Sequence, residues 1–194
     1  MSFNLIPATT ALVLIDLQKG VVARPLVPRS AAEIVELSAV LARQFTKLGG
    51  TVVRVHVAFA GNFADRLTQP VDAPMLAPPG GFPPDFSEFA TEIAALDAHV
   101  VITKRQWGAF HGTELDLQLR RRGITTIVLG GVATNFGVET TAIEAWQHNY
   151  AVVIAEDLCA TMSDEMHKFS IEKMLPRVAR IRSTSEIMAA LVRA

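Results

Sequence analysis

Short runs of aliphatic and β-branched residues recur along the chain, each too brief for a helix and most followed by a longer stretch with helical spacing. Residues 11–15, 51–57, 100–103, 126–129, 151–155 and, more weakly, 178–181 read as strands. Between them, Ile34, Leu37, Leu41, Phe45 and Leu48 form one apolar stripe that stops at Gly49-Gly50. Thr113 before Glu114 and Asp116 reads as an N-cap with an acidic first turn, and Gly123 closes that helix. Residues 136–148, 164–175 (with Pro176 just beyond) and 186–192 give three more helices. Strand and helix in alternation demand a parallel sheet with right-handed crossovers. The expectation is one domain over residues 1–194, a doubly wound, Rossmann-like α/β fold in three layers.

The strand runs are apolar without alternating, as strands covered on both faces must be. That accounts for a chain that is 50% hydrophobic better than a membrane span does, because no run approaches the ~18 apolar residues a span needs. The longest charge-free stretch, 123–138, carries Gly123, Gly130, Gly131, Asn135 and Gly137, which break a lipid-exposed helix. With 18 Lys+Arg against 19 Asp+Glu there is no basic excess to displace counterions from phosphates. The one basic cluster, Arg120-Arg121-Arg122, reads as the solvated end of a helix. A single cysteine forms no internal disulfide, and the start of the chain lacks the pattern of a secretory leader. These features predict a cytoplasmic protein that binds neither nucleic acid nor membrane, which leaves a small-molecule substrate as the expected partner, and the high apolar content is compatible with a homo-oligomer interface.

Residues 69–84 break the rhythm, with six of the ten prolines and Gly80-Gly81. Such a segment is either an exposed connection or a lid or subunit contact.

In an open parallel sheet, ligands bind beyond the carboxyl ends of the strands. Three such ends carry polar residues: Asp16-Leu17-Gln18, Lys104-Arg105-Gln106-Trp107, and Gly130-Gly131-Val132-Ala133-Thr134-Asn135-Phe136-Gly137. An aspartate directly after a five-residue apolar run is costly to ionise without a compensating cation, and Lys104 is placed to be that cation. The pair either orders the strand ends or forms an active site.

These blocks, with Lys104 leading into Trp107-Gly108-Ala109-Phe110 and Thr113, and Gly131 to Thr134 leading into Gly137-Val138 and Thr141-Ala142, resemble the signature of the isochorismatase-like (cysteine hydrolase) family. The resemblance implies a Rossmann-like sheet, an Asp16–Lys104 pair beside a cysteine nucleophile, and a cis peptide at Val132-Ala133 that shapes an oxyanion hole. It also implies a dimer or tetramer. At the position of the thiol this chain has Gly137, which offers no nucleophile, so the covalent route does not carry over. True isochorismatases share a glycine there and hydrolyse a vinyl ether to release pyruvate, and the resemblance gives Asp16 the role of acid in such a reaction.

Gln18 is expected to orient Asp16 or a water, or else to cap the strand end. Trp107, Phe110 and Phe136 are expected as apolar walls, with Val132, Ala133 and Thr134 lining the substrate site. Where the family usually has serine, this chain has Gly108. The sole cysteine, Cys159, reads as a small core residue. The nicotinamidase branch binds metal through Asp-x-His and a further histidine after the second strand. Here that place holds Val57-Ala58-Phe59-Ala60-Gly61, His56 reads as a satisfied strand residue, and Asp97-Ala98-His99 precedes the third strand. No metal is expected, and no cofactor either, because no glycine-rich G-x-G-x-x-G turn follows the first strand. Three functions remain open: vinyl-ether hydrolysis, amide hydrolysis with Asp16 activating water, and silent small-molecule binding.

Overall fold

A computed structural model describes residues 4–74 and 81–192. Six parallel strands, β1 (Thr10–Ile15), β2 (Thr51–Val57), β3 (Val100–Lys104), β4 (Thr126–Val132), β5 (Ala151–Ala160) and β6 (Arg180–Arg182), form one sheet in the order β3-β2-β1-β4-β5-β6. The chain winds outward from β1 in one direction and then from β4 in the other, so the order reverses between those two strands. There the two crossovers diverge and leave a crevice at the carboxyl edge.

Among the described residues seven α-helices flank the sheet: α1 (Lys19–Val22), α2 (Ala31–Lys47), α3 (Thr91–Ala94), α4 (Leu115–Arg121), α5 (Glu139–Gln147), α6 (Asp164–Phe169) and α7 (Thr184–Ala190). Strand β1 is buried throughout, with alternate residues serving opposite faces. Leu12 and Leu14 join Ile34, Leu41 and Phe45 of α2 and Ile187 of α7. Ala11, Val13 and Ile15 join Leu115 and Leu119 of α4 and Ala142 and Ala145 of α5. This is the three-layer doubly wound α/β arrangement the alternation predicts.

Local chemistry sets the helix ends. Ser30 and Glu33 form a reciprocal capping box at the start of α2, and Ser183 and Glu186 do the same for α7. At α4 the Thr113 hydroxyl accepts from the Leu115 amide, 3.1 Å, and the N-cap is Glu114, so the helix opens one residue later than a simple N-cap at Thr113 would place it. The expected helix 136–148 is instead a π-helical turn, Thr134–Val138, running into α5. Likewise the stretch 164–175 is α6 followed by a second π-helical turn, Ser170–Met174, and a 3-10 turn, Leu175–Arg177.

Of the proline-rich segment, residues 75–80 lie outside the described residues, and 69–74 have no regular structure. Next to it, Phe59, Phe63, Phe82 and Phe86 form a chain of ring contacts, the tightest being Phe82–Phe86 at 4.4 Å. Among the described residues no helix is long and apolar enough to cross a membrane.

Strand β4 runs three residues past the expected end at 129, through Gly130-Gly131. Glycine weakens a strand in isolation. Here it is required, because Gly131 pairs with Ile15 and a Cβ on it would overlap the Ile15 carbonyl oxygen, and its φ is 127°. Gly131→Ala should therefore lower stability by about 3 kcal/mol or more, from backbone strain and overpacking together. Urea unfolding measures this, and a midpoint equal to the parent's would contradict the close β1–β4 approach.

Candidate active site

Asp16 follows the last residue of β1, and its amide still donates to the Val55 carbonyl, 2.9 Å, before the chain turns away. Its φ is 51°, in the left-handed region where aspartate is one of the few tolerated side chains. Lys104 ends β3, two strands away, where it pairs with Val57. Two strand spacings are about 10 Å, a gap that a long lysine stem can cross beneath the apolar strand ends. Its Nζ donates to Asp16 Oδ2 at 2.7 Å and to the Gln106 carbonyl at 3.0 Å. Both side chains are buried, 2% exposed for Lys104 and 10% for Asp16. Asp16 Oδ1 is also buried and has no hydrogen-bond partner among the described residues.

Burial pushes the Asp16 carboxyl above its ordinary value of 3.8, against the opposing pull of the Lys104 ammonium and, more weakly, of His56. His56 is held in place on both ring nitrogens, Nδ1 at 2.7 Å from the Ser87 carbonyl and Nε2 at 2.9 Å from the Thr103 hydroxyl.

The third block comes in from β4. The Val132-Ala133 peptide is cis, and the π-helical turn that follows brings Gly137 against the end of β1. A Cβ on Gly137 would lie 3.0 Å from Ile15 Cγ2, 3.4 Å from Asp16 Oδ2 and 3.5 Å from the Trp107 carbonyl oxygen. The position that the resemblance gives to a thiol is thus in contact with the carboxylate, and a side chain there fits only if the Ile15 methyl yields by a few tenths of an ångström. Thr141 links the two blocks. Its hydroxyl donates to the Gly137 carbonyl, 2.6 Å, and accepts from the Ala109 amide, 3.2 Å.

The expected lining residues divide. Trp107 is half-exposed, its ring 4.8 Å from that of Phe136. Phe110 points elsewhere: its ring is buried against His148 and Tyr150, at 5.0 and 5.8 Å, in the core between the sheet and α4–α5. Gln18 is buried and spent on backbone, with Nε2 donating to the Val57 and Phe86 carbonyls and Oε1 accepting from the Val57 amide. It pins the returning segment to β2; its polar atoms are not turned to Asp16. Val132 packs into the α2-side core, with Ala133 against its edge. Thr134 is fully buried, its hydroxyl 2.9 Å from His167 Nδ1.

A Cβ on Gly108 would strike the Glu144 carboxylate, which also accepts from the Phe110 amide, so glycine there follows from Glu144 in α5. Cys159 is buried in β5, its thiol pushed up to about 12 by burial. Among the described residues, no three His, Cys, Asp or Glu side chains group so as to hold a metal ion. Sequence reading did not find Thr141 as a linker, the Gln106 carbonyl as a second acceptor for Lys104, or His167 behind Thr134. Each depends on a contact that only the tertiary fold creates.

A carboxyl group and an ammonium are thus buried together at the switch point of a doubly wound sheet, with a turn from β4 brought against them, and the sheet and its helices are those of isochorismatase-like structures. The sequence agrees: residues 10–186 match the Isochorismatase domain, and the chain belongs to the isochorismatase family. It is 48% identical over 183 residues to the uncharacterised isochorismatase family protein YecD of Escherichia coli, covering 94% of this chain and 96% of that one. It is 25% identical over 164 residues to a maleamate amidohydrolase of Pseudomonas putida, covering 83% and 76%. An isochorismatase family protein of Burkholderia thailandensis superposes with a TM-score of 0.91 at 42% identity, covering 98% of this chain and 99% of that structure.

The opposed influences on Asp16 give a sharp test. Between 3.8 and the raised value, the unfolded chain has already lost a proton that the folded chain keeps. Stability due to this group should therefore fall as pH rises through that interval and level off above it. A carbon-13 NMR titration of the Asp16 carboxyl should give a midpoint above 3.8. A midpoint below it would mean that Lys104 outweighs burial.

Proposed function

We propose that the protein hydrolyses a small acid carrying a vinyl ether, with Asp16 as the proton donor and Lys104 as the cation that meets the substrate's anionic group. The observation that carries this reading is the buried 2.7 Å Lys104–Asp16 contact, with Gly137 rather than a nucleophile facing the carboxyl. Protonating the terminal methylene carbon of an enol ether yields an oxocarbenium ion, and water then adds to the cationic carbon. The water's proton returns to the Asp16 carboxylate, and the hemiketal collapses to a keto acid and an alcohol. No covalent enzyme intermediate is needed.

An anionic substrate would compete with Asp16 for Lys104. Once the ammonium turns to the substrate, the force that lowers the Asp16 pKa weakens and burial keeps the proton on the carboxyl. Half-exposed Trp107, with partly buried Phe136 beside it, supplies an apolar flank for the rest of the substrate. Amide hydrolysis, with Asp16 taking a proton from water, is the second reading. It is favoured by the ammonium contact, which suits an ionised carboxylate, and by the similarity to a maleamate amidohydrolase.

Pyruvate release from isochorismate, followed by a coupled lactate dehydrogenase assay, is the expected result. Asp16→Asn, which keeps an oxygen for Lys104, should lower kcat by about 10²-fold or more while thermal unfolding stays cooperative. Ammonia release from amide substrates instead would assign the second reading. A ligand-induced rise in Tm without turnover would leave a binding protein, and full activity in Asp16→Asn would overturn both enzyme readings.

A further inference from the structure

Behind the π-helical turn that carries Gly137 lies a buried polar chain that the reaction above does not use. The Thr134 hydroxyl is 2.9 Å from His167 Nδ1, and His167 Nε2 is 3.7 Å from Glu156 Oε1. Arg29 holds Glu156 in a two-pronged contact, 3.1 and 3.4 Å. Thr134 and His167 are 0% and 3% exposed, while the Glu156 end is partly open to solvent. The His167 imidazole and the Arg29 guanidinium hold the Glu156 carboxyl down at about 2, so it is a carboxylate under all ordinary conditions.

We infer that Glu156, His167 and Thr134 form a positioning relay that sets the π-helical turn, and with it Gly137, at its distance from Asp16 and Lys104. A carboxylate beside Nε2 favours the tautomer with the proton on that side. Nδ1 is then an acceptor, and the Thr134 hydroxyl proton has one direction in which to point. The relay joins three elements, β5 through Glu156, α6 through His167 and the turn through Thr134. It acts on the first residue of a turn whose fourth residue, Gly137, faces the carboxyl group. The turn's second residue is also tied, Asn135 Oδ1 accepting from the Thr161 hydroxyl at 2.6 Å. Because hydroxyl and imidazole are both buried, a rotation of Thr134 would strand two polar groups without partners. None of the three touches substrate in this scheme. They act through the backbone.

The inference rests on the proposed reading only in giving the turn a purpose, and it can be tested without any substrate. In a Gly137→Cys background, the new Cβ would stand 3.4 Å from Asp16 Oδ2, the oxygen that Lys104 meets, and the pKa of the thiol, read from the ultraviolet absorbance of the thiolate, reports its distance to that charged pair. Cys159, held up at about 12, stays silent over the working range. Adding Thr134→Val, which keeps the shape and removes the hydroxyl, should move that pKa by at least about half a pH unit. Thr134→Ser, which restores the hydroxyl, should return it to the background value. Glu156→Gln, made at the open end of the relay, should move it in the same direction as Thr134→Val.

A Thr134→Val value equal to the background overturns the relay. So does a Thr134→Ser value equal to that of Thr134→Val, since packing of the methyl would then carry the effect. If Thr134→Val does not fold, Glu156→Gln decides, and a background-like value there overturns the relay. If Gly137→Cys itself does not fold, amide hydrogen exchange over residues 135–138 replaces the thiol. About tenfold faster exchange is expected for Thr134→Val and Glu156→Gln but not for Thr134→Ser, and equal exchange in all three overturns the relay. Loss of turnover in Asp16→Asn is read separately, so the reaction and the relay can fail independently.

Discussion

A carboxyl group and an ammonium taken out of water together at one edge of a sheet impose conditions on everything around them. Each alone would be costly enough to shift its own ionisation, and removing either partner of such a pair commonly costs about 3–5 kcal/mol. The fold meets this cost with geometry. Strand β1 is buried on both faces and delivers Asp16 dry, β3 supplies Lys104 from two strands away, and the Gln106 carbonyl gives the ammonium a second acceptor. One carboxylate oxygen is left without a partner among the described residues. Such an orphan weighs on stability and is a common mark of a site held ready for a ligand.

The strand order explains why the pair can be both buried and reachable. Between β1 and β4 the connections run to opposite faces, and the segment after β4 is free to turn back over the strand ends. The main chains come so close there that glycine is obligatory at 131. Residue 137 then presents no side chain, and the polar character of the site comes from Asp16, Lys104 and carbonyl oxygens such as that of Trp107.

Much of this is legible in the sequence, for identifiable reasons. Polar residues placed directly after apolar runs stand out, which is why Asp16, Lys104 and the block through Gly137 can be picked from the chain. The stripe from Ile34 to Leu48, with its stop at Gly49-Gly50, marks α2 through local spacing alone. The end of β4 is not legible in this way, because the reason for Gly131 is a contact with Ile15, far away in sequence. Gln18 and Phe110 stand in the right blocks, yet one is spent on the backbone of β2 and the other on the α4–α5 core. Spacing fixes where a Cα sits along an element but leaves open what its side chain meets. The π-helical turns were equally hidden, since their apolar spacing is close to that of an ordinary helix.

The Thr141 hydroxyl bonds at once to the Gly137 carbonyl and the Ala109 amide, and Glu144 accepts from the Phe110 amide, so the walls arriving from β3 and β4 are riveted twice. Spreading them apart would undo these bonds together in a dry interior. The spacing of the two walls is therefore fixed, and what remains adjustable beside them is the pair of aromatic rings, Trp107 and Phe136. Selectivity in such an enclosure would drift through exchanges at those ring positions long before the jaws themselves learned to move.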